Sequence, residues 1–247
     1  MDLTVDVINK LKEISDEASN NKVINIDGRN YCINGNGDVR LMLPKNLSED
    51  SVQLNTLTGL IDIVKNMPER KNEKLYIQVT SPTMVDVYGG LDSYGRREQL
   101  VCSRAVLPRI DFYQFLDQEE MNITLQSKFV ENPDREIILK VIGNLEEKTV
   151  HSANDDGVSQ SVNIKTGVAS VSEVKVPNPV TLAPYRTFAE VTQPASKFIF
   201  RMKNGMLTAI FEADGGAWKN EAMNSVATYL EDNFAEEVES KHVVVIS

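Results

Sequence analysis

A chain of 247 residues can bury roughly 70–75% of its unfolded surface, so it needs no disulfide or metal staple to fold. Hydrophobic residues make up 41% and charged residues 25%, which argues against wholesale disorder. The net charge of −10 comes from acids interspersed with bases. That pattern weighs against a grip on duplex DNA, which needs clustered Lys and Arg, and against mimicry of DNA.

In chain order, residues 3–19 place Leu3, Val7, Ile8, Leu11 and Ile14 on one face, the period of an amphipathic helix. This acidic N-terminus is unlike a signal peptide, and no apolar run approaches the ~18 residues of a membrane span. The expected protein is soluble and cytoplasmic. KVINIDGRNYCINGNGDVRLML follows as a β-meander, its turns at Asp27-Gly28 and Asn34-Gly35-Asn36-Gly37, where residues tolerate positive φ. Asp50 or Ser51 is expected to cap a second helix with a buried stripe of Leu54, Leu57, Ile61 and Val64, closed by Pro68.

LYIQVTSPTMVDVYG reads as two strands and LVCSRAVL as another. DFYQFLDQEEMNITLQSKF carries a cap at Asp111 and reads as helix then strand; DREIILKVIGNL, begun by Pro133 and ended by Gly143-Asn144, is a short helix. Residues 147–176 alternate Val or Ile with polar residues around a hairpin tip at 154–157. Next come a proline-punctuated edge strand (VPNPVTLAPYRTF), a hairpin turning at Lys203-Asn204-Gly205, a helix after FEADGGAW, and a last strand, HVVVIS. The fold class is α+β, a mostly antiparallel sheet with four or five interspersed helices. It forms a single domain, with 107–111 as the place to split it if there are two subdomains.

Cys32 and Cys102 read as buried thiols, and two Cys with two His at unrelated spacings make no zinc signature. No catalytic constellation and no cofactor motif is present, so a non-enzymatic protein is favoured. Pro184-Tyr185-Arg186-Thr187-Phe188 joins an arginine to two aromatics. Arg186 would hold a phosphate or carboxylate while Tyr185 stacks on a base, or else lie buried against Glu190 or Glu212. Gly215-Gly216 precedes a helix whose free amides suit an anion, but Asp214 is placed to cap them itself. Glu212 and Asp214, two apart on a strand, also read as a carboxylate pair for metal-dependent hydrolysis. Trp218 reads as a staple of the helix to the sheet, and Met223, Val226, Ala227, Leu230 and Phe234 as its core stripe. Together Tyr185, Arg186, Glu212, Asp214 and Trp218 are the candidate ligand-binding residues, with EADGGAW as one wall of the pocket.

The stretch QSKFVENPDREIILKVIGNLEEKTVHSANDDGVSQSVNIKTG, with VKVPNPVTLAPYRTFAEV and FEADGGAWKNEA, resembles an uncharacterised protein family of temperate phages and prophages of Gram-positive bacteria. More distantly it is similar to the YfdQ-like prophage family, at Val176-Pro177, Thr181-Leu182 and Arg201 to Gly205. The resemblance covers roughly residues 100–234 and implies a setting, not a reaction: a phage accessory protein in the bacterial cytoplasm. The expected function is binding of a small ligand, such as a nucleotide sequestered in counter-defence, or of a host protein, by a homo-oligomer. The alternatives are a replication or recombination accessory acting through protein contacts, and the hydrolase.

Overall fold

The computed structural model describes residues 5–19, 22–44, 47–67, 73–144, 154–155, 160–165, 171–203 and 206–247. The fold is α+β, and its described residues form two compact units, Met1–Glu49 with Asp92–Arg96, and Asp50–Leu91 with Arg97–Ser247. The junction at 107–111 falls inside the second unit.

In the first unit, α1 spans Val5–Ser19, and β1 (Lys22–Ile26), β2 (Arg29–Ile33) and β3 (Val39–Leu41) form the expected antiparallel meander. Asp27 and Gly28 both take positive φ, 50° and 78°, the two-residue turn whose twist matches that of the flanking strands. The Asn34 side chain accepts from the amides of Asn36 and Asp38 to close the second turn. Arg29 donates to the Ser93 carbonyl and Arg96 to that of Pro44, which ties residues 92–96 to the meander. Val7, Ile8 and Leu11 of the α1 stripe are exposed.

The second unit is built around a five-stranded sheet. β4 (Val52–Leu54), β5 (Leu75–Ser81), β6 (Met84–Leu91), β7 (Arg97–Arg104) and β14 (Val243–Ile246) lie in the order β14-β5-β6-β7-β4. The inner pairs are antiparallel, while β14 and β4 run parallel to their neighbours. Strand alternation puts Leu75, Ile77, Val79, Val85 and Val87 on one face, all buried. Helix α2 (Leu57–Lys65) and helix α5 (Trp218–Asn233) supply Leu57, Leu60, Val226 and Leu230 to that same core, followed by Phe234. The expected α5 stripe is thus the core stripe, with Met223 at its half-buried margin.

A second core lies where α3 (Gln118–Lys128) and α4 (Pro133–Gly143) contribute Met121, Leu125, Ile138 and Val141. Their partners are Leu182 of β11 (Val180–Leu182), Phe198 and Phe200 of β12 (Ser196–Lys203) and Ile210 of β13 (Leu207–Glu212). These strands form an antiparallel sheet in sequence order, with β11 at its edge as expected. β8 (Asn154–Asp155), β9 (Gln160–Lys165) and β10 (Val171–Lys175) form another antiparallel sheet. The sixth described helix is α6 (Ala235–Glu239), one more than the upper count expected. The hairpin residues Asn204-Gly205, the tip residue Gly157, Pro68 and His151 lie outside the described residues.

Two helix starts differ from expectation. Residues 52–54 pair with β7 as a strand, so the cap of α2 is Thr56, whose hydroxyl accepts from the Gly59 amide at 3.1 Å. A Cβ on Gly59 would stand 2.9 Å from that hydroxyl oxygen, so the cap closes there because the residue is glycine. Glu190, distant in sequence, accepts from the amides of Leu57 and Thr58 at 2.7 and 3.1 Å. Asp117, not Asp111, caps α3 in a reciprocal box with Glu120, and residues 119–128 are helical throughout; Asp111 instead accepts from Arg109.

Arg135 of α4, buried, donates from Nε to the Leu125 carbonyl at 2.8 Å and from a terminal nitrogen to that of Gln126 at 3.2 Å. It thereby satisfies carbonyls left open in the last turn of α3. Removing it leaves a buried acceptor unpaired, so Arg135→Ala is expected to cost about 2–3 kcal/mol. Arg135→Lys, lacking the planar fork, should recover only part of this. Urea unfolding followed by circular dichroism measures both; an unchanged midpoint in the alanine variant contradicts this role.

Candidate functional site

Strand β13 ends at Glu212, and the chain then reverses through Ala213 to Ala217 into α5. Gly215 and Gly216 take φ of 65° and 83°, so the corner requires residues without a Cβ. The Asp214 carboxylate accepts from the Gly216 amide at 3.1 Å and from the Trp218 amide at 3.2 Å. Two of the donors that an anion would use are thus bound to the chain's own carboxylate.

Arg186 stands opposite this corner, on the loop between β11 and β12. It is buried, with its guanidinium carbon 4.0 Å from the Trp218 ring centroid and 5.8 Å from that of Phe198. One terminal nitrogen donates to Glu212 at 3.2 Å; the other donates to the Pro194 carbonyl at 3.0 Å and the Ser196 hydroxyl at 2.6 Å. Burial pushes the guanidinium down to about 10, opposed by the charges of Glu212, Asp214 and Glu221. It therefore remains a cation at neutral pH.

Of the two partners expected for Arg186, Glu212 is the one found, while Glu190 is engaged at α2. The structure thus brings four of the five candidate residues together: Arg186, Glu212, Asp214 and Trp218. Tyr185 is 40% exposed, and its amide donates to the Lys128 carbonyl. The carboxylates of Glu212 and Asp214 have separate duties, one on a guanidinium and one on two amides. A divalent ion at this pair would have to displace both. Among the described residues, no group of three or more His, Cys, Asp or Glu is placed to hold a metal ion.

Sequence reasoning missed Gln193. Its side-chain oxygen accepts from the amides of Arg186 and Thr187, and its nitrogen donates to the Phe188 carbonyl at 3.0 Å. The residue is buried and holds the loop that presents Arg186. An isolated glutamine in a loop carries no pattern that marks this role.

Sequence reasoning also missed a cavity of about 620 Å³ at the end of the five-stranded sheet where β5 and β14 begin. Val64, Met67, Leu75 and Val243 give it an apolar wall; Lys65, Glu236, Glu237 and His242 give it polar groups. The His242 carbonyl accepts from the Leu75 amide, and its amide donates to the Glu237 carbonyl, both at 2.8 Å, which fixes the cavity wall. Its volume falls in the range of small-molecule sites, and its lining divides between an apolar wall and a comparable set of polar groups. Residues from four separate elements line it, so no local motif could reveal it.

No family model matches the chain, and no curated protein or solved structure shows significant similarity to it.

Arg186 therefore acts as an internal clamp, and its removal leaves Glu212 facing a partly buried space without its cation. Arg186→Ala is expected to lower stability by about 2–4 kcal/mol. Because the guanidinium lies on the indole, the variant should also shift Trp218 emission in the folded state. Arg186→Lys should restore part of the stability without the emission signature, since an ammonium lacks the planar stack. Denaturation with fluorescence detection tests this; an alanine variant as stable as the parent would mean that Arg186 serves a ligand instead.

Proposed function

We propose that this chain is a small-ligand-binding protein whose ligand occupies the cavity bounded by α2, β5, α6 and β14. The observation that carries the reading is the cavity itself. Its size suits a small molecule, and its apolar wall faces Lys65, His242 and two glutamates. The polar set holds carboxylates as well as cationic or hydrogen-bonding groups. It therefore suits a ligand with an apolar body and one polar end better than a polyphosphate. A sequestered nucleotide with a single phosphate, held by Lys65 and His242, is the narrower form of this reading.

The setting is that of a phage or prophage accessory protein in the bacterial cytoplasm, supported by the sequence resemblance over roughly residues 100–234. In that setting the protein works by binding, as a homo-oligomer, and carries no reaction of its own. The clamp at Arg186 supports the cavity from a distance by seating α5, whose end leads to Phe234.

Thermal-shift screening against mononucleotides, cyclic nucleotides and small amphipathic amines and acids tests this reading. A binding member should raise the melting temperature, by about 3 kcal/mol of added stability at a hundredfold excess over its dissociation constant. Ser240→Trp, at an exposed position on the cavity rim, should abolish that shift while leaving the unliganded protein folded. A shift that survives in the tryptophan variant would place the ligand elsewhere, and no shift with any member would remove the proposal.

A further inference from the structure

We infer that the outer face of the five-stranded sheet docks a single strand of DNA. Paired residues on neighbouring strands share a face, so the register identifies this one. Tyr76 pairs with Tyr88, Gln78 with Asp86, Asp86 with Cys102, Tyr88 with Gln99, and Met84 with Arg104. The alternate residues of β5 and β6 face the helices and are buried. On the outer side Gln78, Arg97, Gln99 and Arg104 are exposed, and the two tyrosines are half-buried.

The chemistry of this face differs from that of the chain as a whole. The protein carries a net charge of −10, yet the outer face presents Lys74, Arg97 and Arg104. Its strand carboxylate, Asp86, is 4% exposed and accepts from Thr80 and Gln99 at 2.8 Å each, so it is sealed among its own donors. Glu73 is an exposed carboxylate at the margin, beside Lys74. Neither Arg97 nor Arg104 forms an ion pair among the described residues: Arg97 donates to the Gly89 carbonyl and Arg104 to the Met84 sulfur. The cations complement a polyanion.

Aromatic groups sit between the cations. The Arg97 guanidinium lies over the Tyr76 ring at 4.4 Å from its centroid, and the Lys74 ammonium lies over the same ring at 5.6 Å. Tyr88 is directly opposite on the next strand. Guanidinium groups and tyrosine rings are both surfaces on which a base can stack, and the amides of Gln78 and Gln99 can meet base edges. Strands are about 4.8 Å apart, so β5 to β7 offers room for about two or three nucleotides. Flat bases fit this ring-and-amide surface better than the side chains of an acidic peptide do. The stacking, guanidinium and amide contacts require no ribose 2′-hydroxyl, so a strand of DNA can make every one of them.

Fluorescence anisotropy with a labelled oligothymidylate of about 20 nucleotides tests the inference. Binding is expected at low salt, falling with added salt as counterion release requires, with duplex of the same length competing poorly. Combining Arg97→Ala with Arg104→Ala should weaken binding about tenfold or more, with Arg97→Lys intermediate. Arg104→Glu, a change at an exposed position, gives the same reading should the double variant lose its circular dichroism signal. No binding at low salt, or affinity unchanged in these variants, overturns the inference. Tighter binding of oligouridylate overturns the assignment to DNA, and equal competition by polyglutamate overturns it in favour of an acidic protein partner. Ser240→Trp should bind the oligonucleotide like the parent, which separates this face from the cavity.

Discussion

A buried guanidinium is costly to desolvate, and the second unit is arranged around meeting that cost at Arg186. The side chain lies between Trp218, which opens α5, and Phe198, which belongs to the core under α3 and α4. It pairs with Glu212 at the end of β13 and donates to the start of β12 at Ser196. Removing a charge from water is tolerated only where several directed partners replace the lost hydration. The partners of its two terminal nitrogens and of its face come from β12, β13, α5 and the loop held by Gln193, so seating one cation fixes the relative placement of all of them. The FEADGGAW corner serves that arrangement: its glycines permit the turn, Asp214 closes the amides, and Trp218 covers the cation.

The five-stranded sheet carries out a different separation. Its inner face is a run of branched aliphatic residues under α2 and α5, where burial of apolar area supplies the stability. Its outer face keeps Asp86 within a closed set of hydrogen bonds and leaves arginines and amides toward solvent. Asp86 is thereby held beneath a surface whose exposed strand side chains are cationic or neutral, with Glu73 as an acid at its margin. The cavity lies at the end of the same sheet, where α2 and α5 finish and the strands begin. Sheet ends are where helices diverge from strands, and that geometry leaves room for a small molecule.

Most elements were legible in the sequence because their signals are local. The Asp27-Gly28 turn requires positive φ, the period-two alternation of β5 exposes one face and buries the other, and Pro133 starts α4. Expectations failed where a distant residue overrode a local signal. Leu54 reads as part of a helical stripe, yet pairing with Ser103 makes it a strand residue, and the helix begins only after Thr56. At 119–128 the β-prone residues Ile123 and Thr124 sit inside a helix, because the box of Asp117 and Glu120 closes its first turn. The candidate site was partly legible. Carboxylates two apart, a glycine pair and a tryptophan marked the corner, and Glu212 was one of two partners foreseen for Arg186.

The sequence by itself determined the α+β class, the order of most strands and helices, and the chemistry of the 211–218 corner. Each of those rests on backbone preferences and on side-chain periods that act within a few residues. Only the tertiary structure decided that Glu190 caps α2, that Gln193 and Ser196 help to seat Arg186, and that four elements border a cavity. It also decided that Tyr76, Tyr88, Arg97 and Arg104 share one open face. Those outcomes depend on which strands become neighbours and in what register, and that is set by packing two hydrophobic cores from segments far apart in the chain.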